Sequence, residues 1–314
     1  MRILVMGAGG VGGYFGGRLA QSGCDVSFVA RGPHLEALQS SGLRVESLLG
    51  DLHLPSVSAS SNPADFGPVD LVLFGVKLWD TEGAARLLHP VMGENTAVVS
   101  FQNGVLKDDI LRDILGASHV VGGACYIAAS VVEPGLIRHT GTMQKLVFGE
   151  YDGTTSARVR QFRDACLAAK IDVSVDASVE RTIWEKYVFL VGLSGTTSLA
   201  RTPIGPIRSD PRARSFLHDL MQEVVEVGRA QGIDLAPGYA RNRLDFIDTL
   251  PASMSSSMLG DLERHGRLEL EWLSGDVVHR GQRLGVDTPC NRAVLDILSV
   301  HSQGRSTPVA PASQ

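Results

Sequence analysis

The sequence predicts an α/β protein, with an N-terminal Rossmann doubly wound sheet followed by an all-helical C-terminal domain. Three observations carry this. The chain opens on an apolar run, Ile3-Leu4-Val5-Met6, that breaks at once into Gly7-Ala8-Gly9-Gly10-Val11-Gly12. Short apolar runs then recur between helical segments, the pattern of a parallel sheet with helices on both faces. From Glu180 onward the strand signal fades and apolar residues fall at helical spacing, as at Phe216, Leu217, Leu220, Met221, Val224, Val225 and Val227.

Taken in order, Ile3 to Met6 read as a buried central strand. Gly7 lets the chain turn, Gly9 lets the backbone approach a pyrophosphate, and Gly12 lets the next helix pack closely. That helix carries Gly13, Gly16, Gly17 and Ala20 at helical spacing. Its amide-rich start, at Gly10 and Val11, is a ready anion site. A second strand at 26–30 arrives at the spacing of a β-α-β unit, so a dinucleotide is the leading ligand. An ordinary glycine-rich turn is the plain alternative.

The end of the second strand selects the cofactor. NAD and FAD sites usually place an acid there to hold the ribose hydroxyls, whereas this chain reads Phe28-Val29-Ala30-Arg31-Gly32-Pro33-His34. Arg31 offers a two-pronged, permanently charged partner for a ribose 2′-phosphate, which favours NADP(H). The same residue also reads as a solvated loop charge.

Further apolar runs at 71–76, 97–101 and 120–124 continue the sheet. Strands at 126–132 and 145–149 extend it around a Glu133-Pro134-Gly135 turn, and a helix at 156–169 with a strand at 171–175 closes the first domain. The division expected is a cofactor domain at 1–177, a helical substrate and catalytic domain at 178–302, and a disordered tail at 303–314, which is polar and proline-containing. Turns in the helical part fall at Arg201-Thr202-Pro203, Ser209-Asp210-Pro211 and Ala236-Pro237-Gly238.

Composition narrows the function classes. With 314 residues, 44% hydrophobic and 20% charged, the chain has material for two globular domains. The net charge of −5 and the scattered Lys and Arg argue against a nucleic-acid or membrane-surface partner. Cys24, Cys125, Cys166 and Cys290 lie far apart with no metal-ligand spacing, which reads as reduced structural thiols and no metal. The apolar N-terminus is too short for a signal segment and no run approaches the ~18 residues of a membrane span, so a cytoplasmic location is expected.

Several residues could carry chemistry. After Lys186 the segment Tyr187-Val188-Phe189-Leu190-Val191 is apolar around most of a helix, which puts Lys186 at the edge of a dry region. Desolvation lowers an ammonium pKa toward the range where it donates a proton, as reduction of a carbonyl requires. The alternative is a lysine that snorkels to solvent. On a helix expected around 268–279, Leu268, Glu269, Trp272, Leu273 and Asp276 share one face, so Glu269 sits among apolar neighbours, as a catalytic acid or an ion-pair member. Glu263 and Glu271 read as solvated acids. Ser255-Ser256-Ser257 places hydroxyls near a helix start, for capping or for holding a small carboxylate. Val76-Lys77 and Gln102-Asn103-Gly104 both follow strands and so fall at the carboxyl edge of the sheet. There Asn103 either orients a ligand carbonyl or begins a common Asn-Gly turn.

Together these residues resemble the ketopantoate reductase family, NADPH-dependent enzymes with a Rossmann domain followed by a helical one. The likeness rests on the glycine fingerprint, Arg31, Val76-Lys77, Gln102-Asn103-Gly104, Trp184-x-Lys186, Ser257-Met258-Leu259-x-Asp261 and Glu269, and it spans nearly the whole chain. It implies that Lys186 protonates the carbonyl oxygen of a 2-oxo acid as the nicotinamide delivers hydride, and that Glu269 holds the substrate hydroxyl and influences Lys186. It further implies that Ser257 binds the substrate carboxylate, Asn103 lines the nicotinamide and substrate junction, and Lys77 assists binding. Family members usually carry Asn four and eight residues after the lysine, where this chain has Leu190 and Ser194. Ser194 is therefore expected in the substrate site with a smaller hydroxyl. Relatives of this architecture often pair through the helical domain, which makes a homodimer the expectation.

Three functions follow. The first is NADPH-dependent reduction of ketopantoate to pantoate, for pantothenate and coenzyme A synthesis. A second keeps the hydride chemistry but takes another, shorter or more apolar oxo acid or hydroxy acid. The third is a non-catalytic NADPH-binding sensor, in which Lys186 and Glu269 form only an ion pair.

Overall fold

The computed structural model describes residues 1–304. The chain divides into two compact units, Met1–Ile183 and the residues from Trp184 onward. Residues 305–314 of the expected tail lie outside the described residues.

The first unit opens with β1 (Arg2–Met6), α1 (Gly10–Gln21), β2 (Asp25–Val29), α2 (Gly32–Ser41), β3 (Leu43–Ser47), β4 (Leu52–Leu54) and β5 (Ser58–Ser60). It continues through β6 (Leu71–Phe74), α3 (Thr81–Arg86), β7 (Ala97–Ser100), α4 (Leu106–Leu115), β8 (Val120–Glu133), β9 (Leu136–Gly149), α5 (Ala157–Ala168) and β10 (Asp172–Val175). The strand order is β4-β3-β9-β8-β7-β6-β1-β2-β5, with β10 also against β9. From β5 through β8 every pairing is parallel.

Residues alternate across this sheet. Ile3, Val5, Leu71, Leu73, Ala97 and Val99 pack into one apolar cluster, with Phe15 of α1 and Phe162 of α5. Their neighbours Leu4, Met6, Val72, Phe74 and Val98 pack into the other, with Ala85 of α3 and Leu111 of α4. Strands buried on both faces are continuous apolar runs, which is why 3–6 and 71–74 read so clearly in the sequence.

The sheet is mixed rather than parallel. β8 and β9 form one long antiparallel hairpin, because the chain reverses at Pro134-Gly135, whereas a parallel partner needs a crossover. Gly135 takes φ +78°, as such a reversal demands. The runs expected at 120–124 and 126–132 are a single strand, and β9 begins nine residues before Lys145. Its first part pairs with β3 (Val45 opposite Ile137) and its last part with β10 (Val173 opposite Leu146). The short strands β3, β4 and β5, of five, three and three residues, are not among the strands the sequence predicts.

α6 (Val179–Ala200) begins in the first unit and carries the chain into the second. There follow α7 (Ile204–Ser209), α8 (Pro211–Ala230), α9 (Tyr239–Thr249), α10 (Ser257–Glu263), α11 (Ser274–Leu284) and α12 (Pro289–Leu298), with no strand among the described residues from Trp184. The start of α8 is set by Asp210, whose carboxylate accepts from the amides of Arg212 and Ala213 at 2.9 Å, ahead of Pro211. Glu223 of α8 accepts from the amides of Cys290 (2.7 Å) and Asn291 (2.9 Å) and so caps α12 from a neighbouring helix.

The helix expected at 268–279 is broken. Leu273 has φ −105° and ψ −100°, outside the helical region, so Leu270–Trp272 form a 3-10 turn and the α-helix starts only at Ser274. Glu269 thus precedes the helix, and its carbonyl accepts from the amides of Trp272 and Leu273 at 3.1 Å. No helix among the described residues is long and apolar enough to cross a membrane.

Candidate dinucleotide site and catalytic residues

The glycine loop lies at the carboxyl end of β1. Gly7 has φ +99°, and a Cβ there would stand 2.8 Å from the Val76 nitrogen. The amides of Gly7 (3.2 Å) and Ala8 (3.0 Å) both donate to the Val29 carbonyl at the end of β2, which draws the loop toward Arg31. A Cβ on Gly12 would meet the Gly7 carbonyl oxygen at 2.1 Å, and one on Gly10 would meet the Ala129 oxygen of β8 at 2.2 Å. Those two glycines therefore serve close packing. Gly9 differs, because a Cβ there would meet nothing within 4 Å.

Gly9 caps α1, and the amides of the first turn, at Gly10, Val11 and Gly12, are donors without an intrahelical acceptor. No acid lies in that turn. Open space beside Gly9, free amides and the positive end of a helix fit a pyrophosphate, so this chain's own residues suit a dinucleotide.

Arg31 is the residue before α2 and is exposed, and its guanidinium has no hydrogen bond or ion pair among the described residues. No acid stands at the end of β2 to compete for ribose hydroxyls. Lys77, after β6, is exposed, with its Nζ 5.5 Å from the Trp79 ring centre. Asn103, after β7, is half-buried beside Gly104, which has φ +76°.

The loops carrying these two residues are tied together by buried Gln102. Its Nε2 donates to the Val76 carbonyl (2.9 Å) and the Thr81 hydroxyl (2.8 Å), and its Oε1 accepts from the Ser100 hydroxyl (3.0 Å). Gly75 donates in turn to the Met6 carbonyl at 2.9 Å. The structure thus assembles Gly7, Gly9, Gly10, Val11, Gly12, Arg31 and the Lys77 and Asn103 segments at one edge of the sheet. In the sequence Gln102 stands only as part of a Gln-Asn-Gly run, and its clamping role shows in these contacts alone.

In the second unit, Lys186 is half-buried on α6, with Tyr187, Val188 and Val191 buried beside it. Leu190, one turn on, is half-buried. Ser194, a further turn on, is 1% exposed, and its Oγ has no partner among the described residues. The hydroxyls of Thr196 and Thr197 behave differently, bonding back to the carbonyls of Gly192 (2.7 Å) and Leu193 (2.6 Å). A buried hydroxyl left unpaired costs about 1–3 kcal/mol, and the hydroxyls of Ser198 and Ser274 stand in the same state.

Tyr187 donates to the Leu273 carbonyl at 2.7 Å, and the Leu273 amide donates to the Glu269 carbonyl. Two hydrogen bonds therefore join the neighbour of Lys186 to the Glu269 backbone. Glu269 is half-buried, while Glu263 and Glu271 are exposed as expected. Asp276, seven residues after Glu269, is buried and bound to Arg280 at 2.8 Å. Of the three serines, Ser256 is the helix cap, accepting from the Leu259 amide at 3.0 Å and sharing a 2.8 Å hydrogen bond with Thr197. Ser257 begins α10 and is exposed. The described residues include no metal-holding cluster, and all four cysteines are free thiols.

Comparison with known proteins agrees along the chain. Residues 3–153 match the model of the family described as ketopantoate reductase PanE/ApbA, and residues 178–302 match its C-terminal counterpart. A 2-dehydropantoate 2-reductase of Halobacterium salinarum is 31% identical over 95% of this chain and 98% of its own. A Bacillus subtilis protein named uncharacterized oxidoreductase YkpB is 30% identical over 96% of this chain and 99% of its own. The crystal structure of a PanE/ApbA family ketopantoate reductase from Ralstonia eutropha superposes with a TM-score of 0.88 at 32% identity, covering 96% of this chain and 98% of that one. With its glycine loop, mixed sheet and helical second unit, the chain belongs to the ketopantoate reductase PanE/ApbA family of dinucleotide-dependent oxidoreductases.

Proposed function

We propose that this oxidoreductase uses NADPH to reduce a 2-oxo acid, with ketopantoate to pantoate as the first reaction to test. The observation that carries the cofactor choice is Arg31, exposed and unpaired among the described residues at the end of β2, where no acid stands. Its guanidinium suits a 2′-phosphate. Bound at the glycine loop, the cofactor supplies the hydride.

The chain's own residues do the rest. Lys186, at the edge of an apolar helix face, donates a proton to the carbonyl oxygen as negative charge develops there, and Glu269 holds the nascent hydroxyl. Ser257 takes the carboxylate, with Ser194 supplying a further hydroxyl, and Asn103 orients the ligand at the sheet edge. Free thiols at all four cysteines support a reducing, cytoplasmic setting.

One observation favours a second substrate. Leu190 presents a half-buried apolar side chain one turn from Lys186, which suits an oxo acid with a more apolar tail than ketopantoate. The deciding experiment follows NADPH absorbance with ketopantoate, pyruvate, 2-oxoisovalerate and bulkier 2-oxo acids. Fastest turnover on ketopantoate supports the first reading, and faster turnover on a bulkier apolar acid supports the second. Tight NADPH binding with no consumption on any of them would overturn both.

A further inference from the structure

His34 stands in the first turn of α2, three residues after Arg31, and both of its ring nitrogens are engaged by main chain. Nε2 lies 2.8 Å from the Ala8 carbonyl oxygen, between Gly7 and Gly9 of the glycine loop. The Gly135 amide, at the tip of the β8–β9 hairpin, lies 3.1 Å from Nδ1. A carbonyl only accepts and an amide only donates. The ring is therefore neutral, with its hydrogen on Nε2 and a lone pair on Nδ1. Burial acts in the same direction, pulling the imidazole below its ordinary pKa against the opposing pull of the Ala8 bond.

The two anchors are themselves fixed. The Ala8 amide donates to the Val29 carbonyl at 3.0 Å, so this peptide segment is held on both sides, by β2 through its N–H and by α2 through its C=O. The Gly135 carbonyl accepts from the Arg44 amide of β3 at 2.9 Å. One imidazole thus braces the phosphate-facing loop against both the Arg31 segment and the hairpin tip.

We propose that His34 is a positioning residue of the dinucleotide site, holding the Ala8 carbonyl so that the amides after Gly9 keep the orientation a pyrophosphate needs. This rests on the NADPH reading above. Orientation of donors before binding contributes affinity by removing a reorganisation cost, so the effect belongs in cofactor binding and not in the chemical step.

The test compares His34→Ala with His34→Gln on the full chain, using NADPH fluorescence titration, steady-state kinetics and thermal denaturation. A glutamine amide carries a donor and an acceptor at the spacing of the two ring nitrogens and can bridge Ala8 and Gly135. His34→Ala is expected to raise the Kd and KM for NADPH by about tenfold, one ordinary hydrogen bond, with kcat little changed. His34→Gln is expected to recover most of that loss. If wild type binds NADPH and His34→Ala binds it equally well, the proposal fails while the cofactor reading stands. Equal losses in both variants, tracking a fall in Tm, would also overturn it. Failure of the wild type to bind NADPH would remove the cofactor reading first, and this proposal with it.

Discussion

Asp276 and Arg280 stand one turn apart on α11 and form an ion pair closed to solvent, with Arg280 Nε donating to Asp276 Oδ2 at 2.8 Å and each side chain 4% exposed. Arg280 also donates to Gln231 Oε1 at 2.8 Å, and its guanidinium lies 5.8 Å from the Trp184 ring centre. The Tyr187 hydroxyl reaches Asp276 at 3.4 Å, so the pair packs against the turn of α6 that carries Lys186.

Removing one partner leaves the other charge buried and uncompensated. Asp276→Ala is expected to lower the unfolding free energy by about 3–5 kcal/mol in urea titration. Replacing both residues by apolar side chains of similar volume should recover much of it. A single variant that loses less than about 1 kcal/mol would show that the pair does not anchor this turn.

Lys186→Ala tests the proton donor. A positioned general acid contributes about 10²–10⁴-fold, so kcat should fall by that factor while NADPH affinity holds. Because the lost contact matters in the transition state, the KM for the oxo acid should move far less. Unchanged kcat would exclude Lys186 from the chemistry.

How far these residues were legible depends on where their partners lie. Ile3 to Met6 and the glycines after them announce β1 and α1 because a buried strand and a tight turn are both local statements. The break at Leu273 was invisible for the opposite reason. An apolar residue continues the helical rhythm, and nothing in the sequence marks its backbone as non-helical. Glu269 was consequently placed on a helix that starts five residues later. The polar half of β9 alternates too weakly to read as a strand, and although β8 pairs with it across the Pro134-Gly135 turn, its other partner, β3, lies 92 residues away in the chain. Among Ser255, Ser256 and Ser257 the residue types are identical, and it is the extended backbone of Ser256 and its hydrogen bonds to the Leu259 amide and Thr197 that mark it as the cap. His34 acts through partners 26 and 101 residues away, which no local pattern encodes.

Arg31→Ala addresses cofactor choice. A charge-assisted contact to a 2′-phosphate contributes about 1.5–3 kcal/mol, so NADPH binding should weaken by roughly 10- to 100-fold. NADH lacks that phosphate and should bind almost as before. Equal losses for both nucleotides would remove Arg31 from cofactor discrimination.

Glu150 gives a pH signature in the first unit. Its carboxylate accepts from Arg158 Nε and Nη2, both at 2.8 Å, and from the hydroxyl of Ser156, the cap of α5, at 2.6 Å. Burial pushes this carboxyl up, but the Arg158 and Ser156 hydrogen bonds and the Arg158 charge outweigh it, and the net direction is down from 4.5. A depressed carboxyl contributes stability that is complete above the unfolded value and is lost as the pH falls below it toward the folded one. Glu150→Gln should therefore cost about 1–3 kcal/mol at neutral pH and flatten the acid limb of stability below pH 4.5. Parallel acid limbs for the two proteins would refute this linkage.

Gly9 and Gly12 separate binding from folding within one loop. A Cβ on Gly12 would stand 2.1 Å from the Gly7 carbonyl oxygen, a backbone atom that cannot swing aside, so Gly12→Ala must displace the loop or the helix. Gly9 has φ −71° and ψ −162°, which alanine adopts freely, and a Cβ there meets nothing within 4 Å. Gly9→Ala should hold its unfolding free energy within about 0.5 kcal/mol of wild type, since it adds no clash and no strain. Its methyl nevertheless occupies the space through which a pyrophosphate reaches the α1 amides, and each charged hydrogen bond lost there costs about 1.5–3 kcal/mol. NADPH affinity should accordingly fall by at least about tenfold in a protein as stable as wild type. Gly12→Ala should show the reverse order, with a lowered Tm at the outset. If Gly9→Ala binds NADPH normally, the pyrophosphate does not approach at Gly9 and the helix N-terminus is not its site.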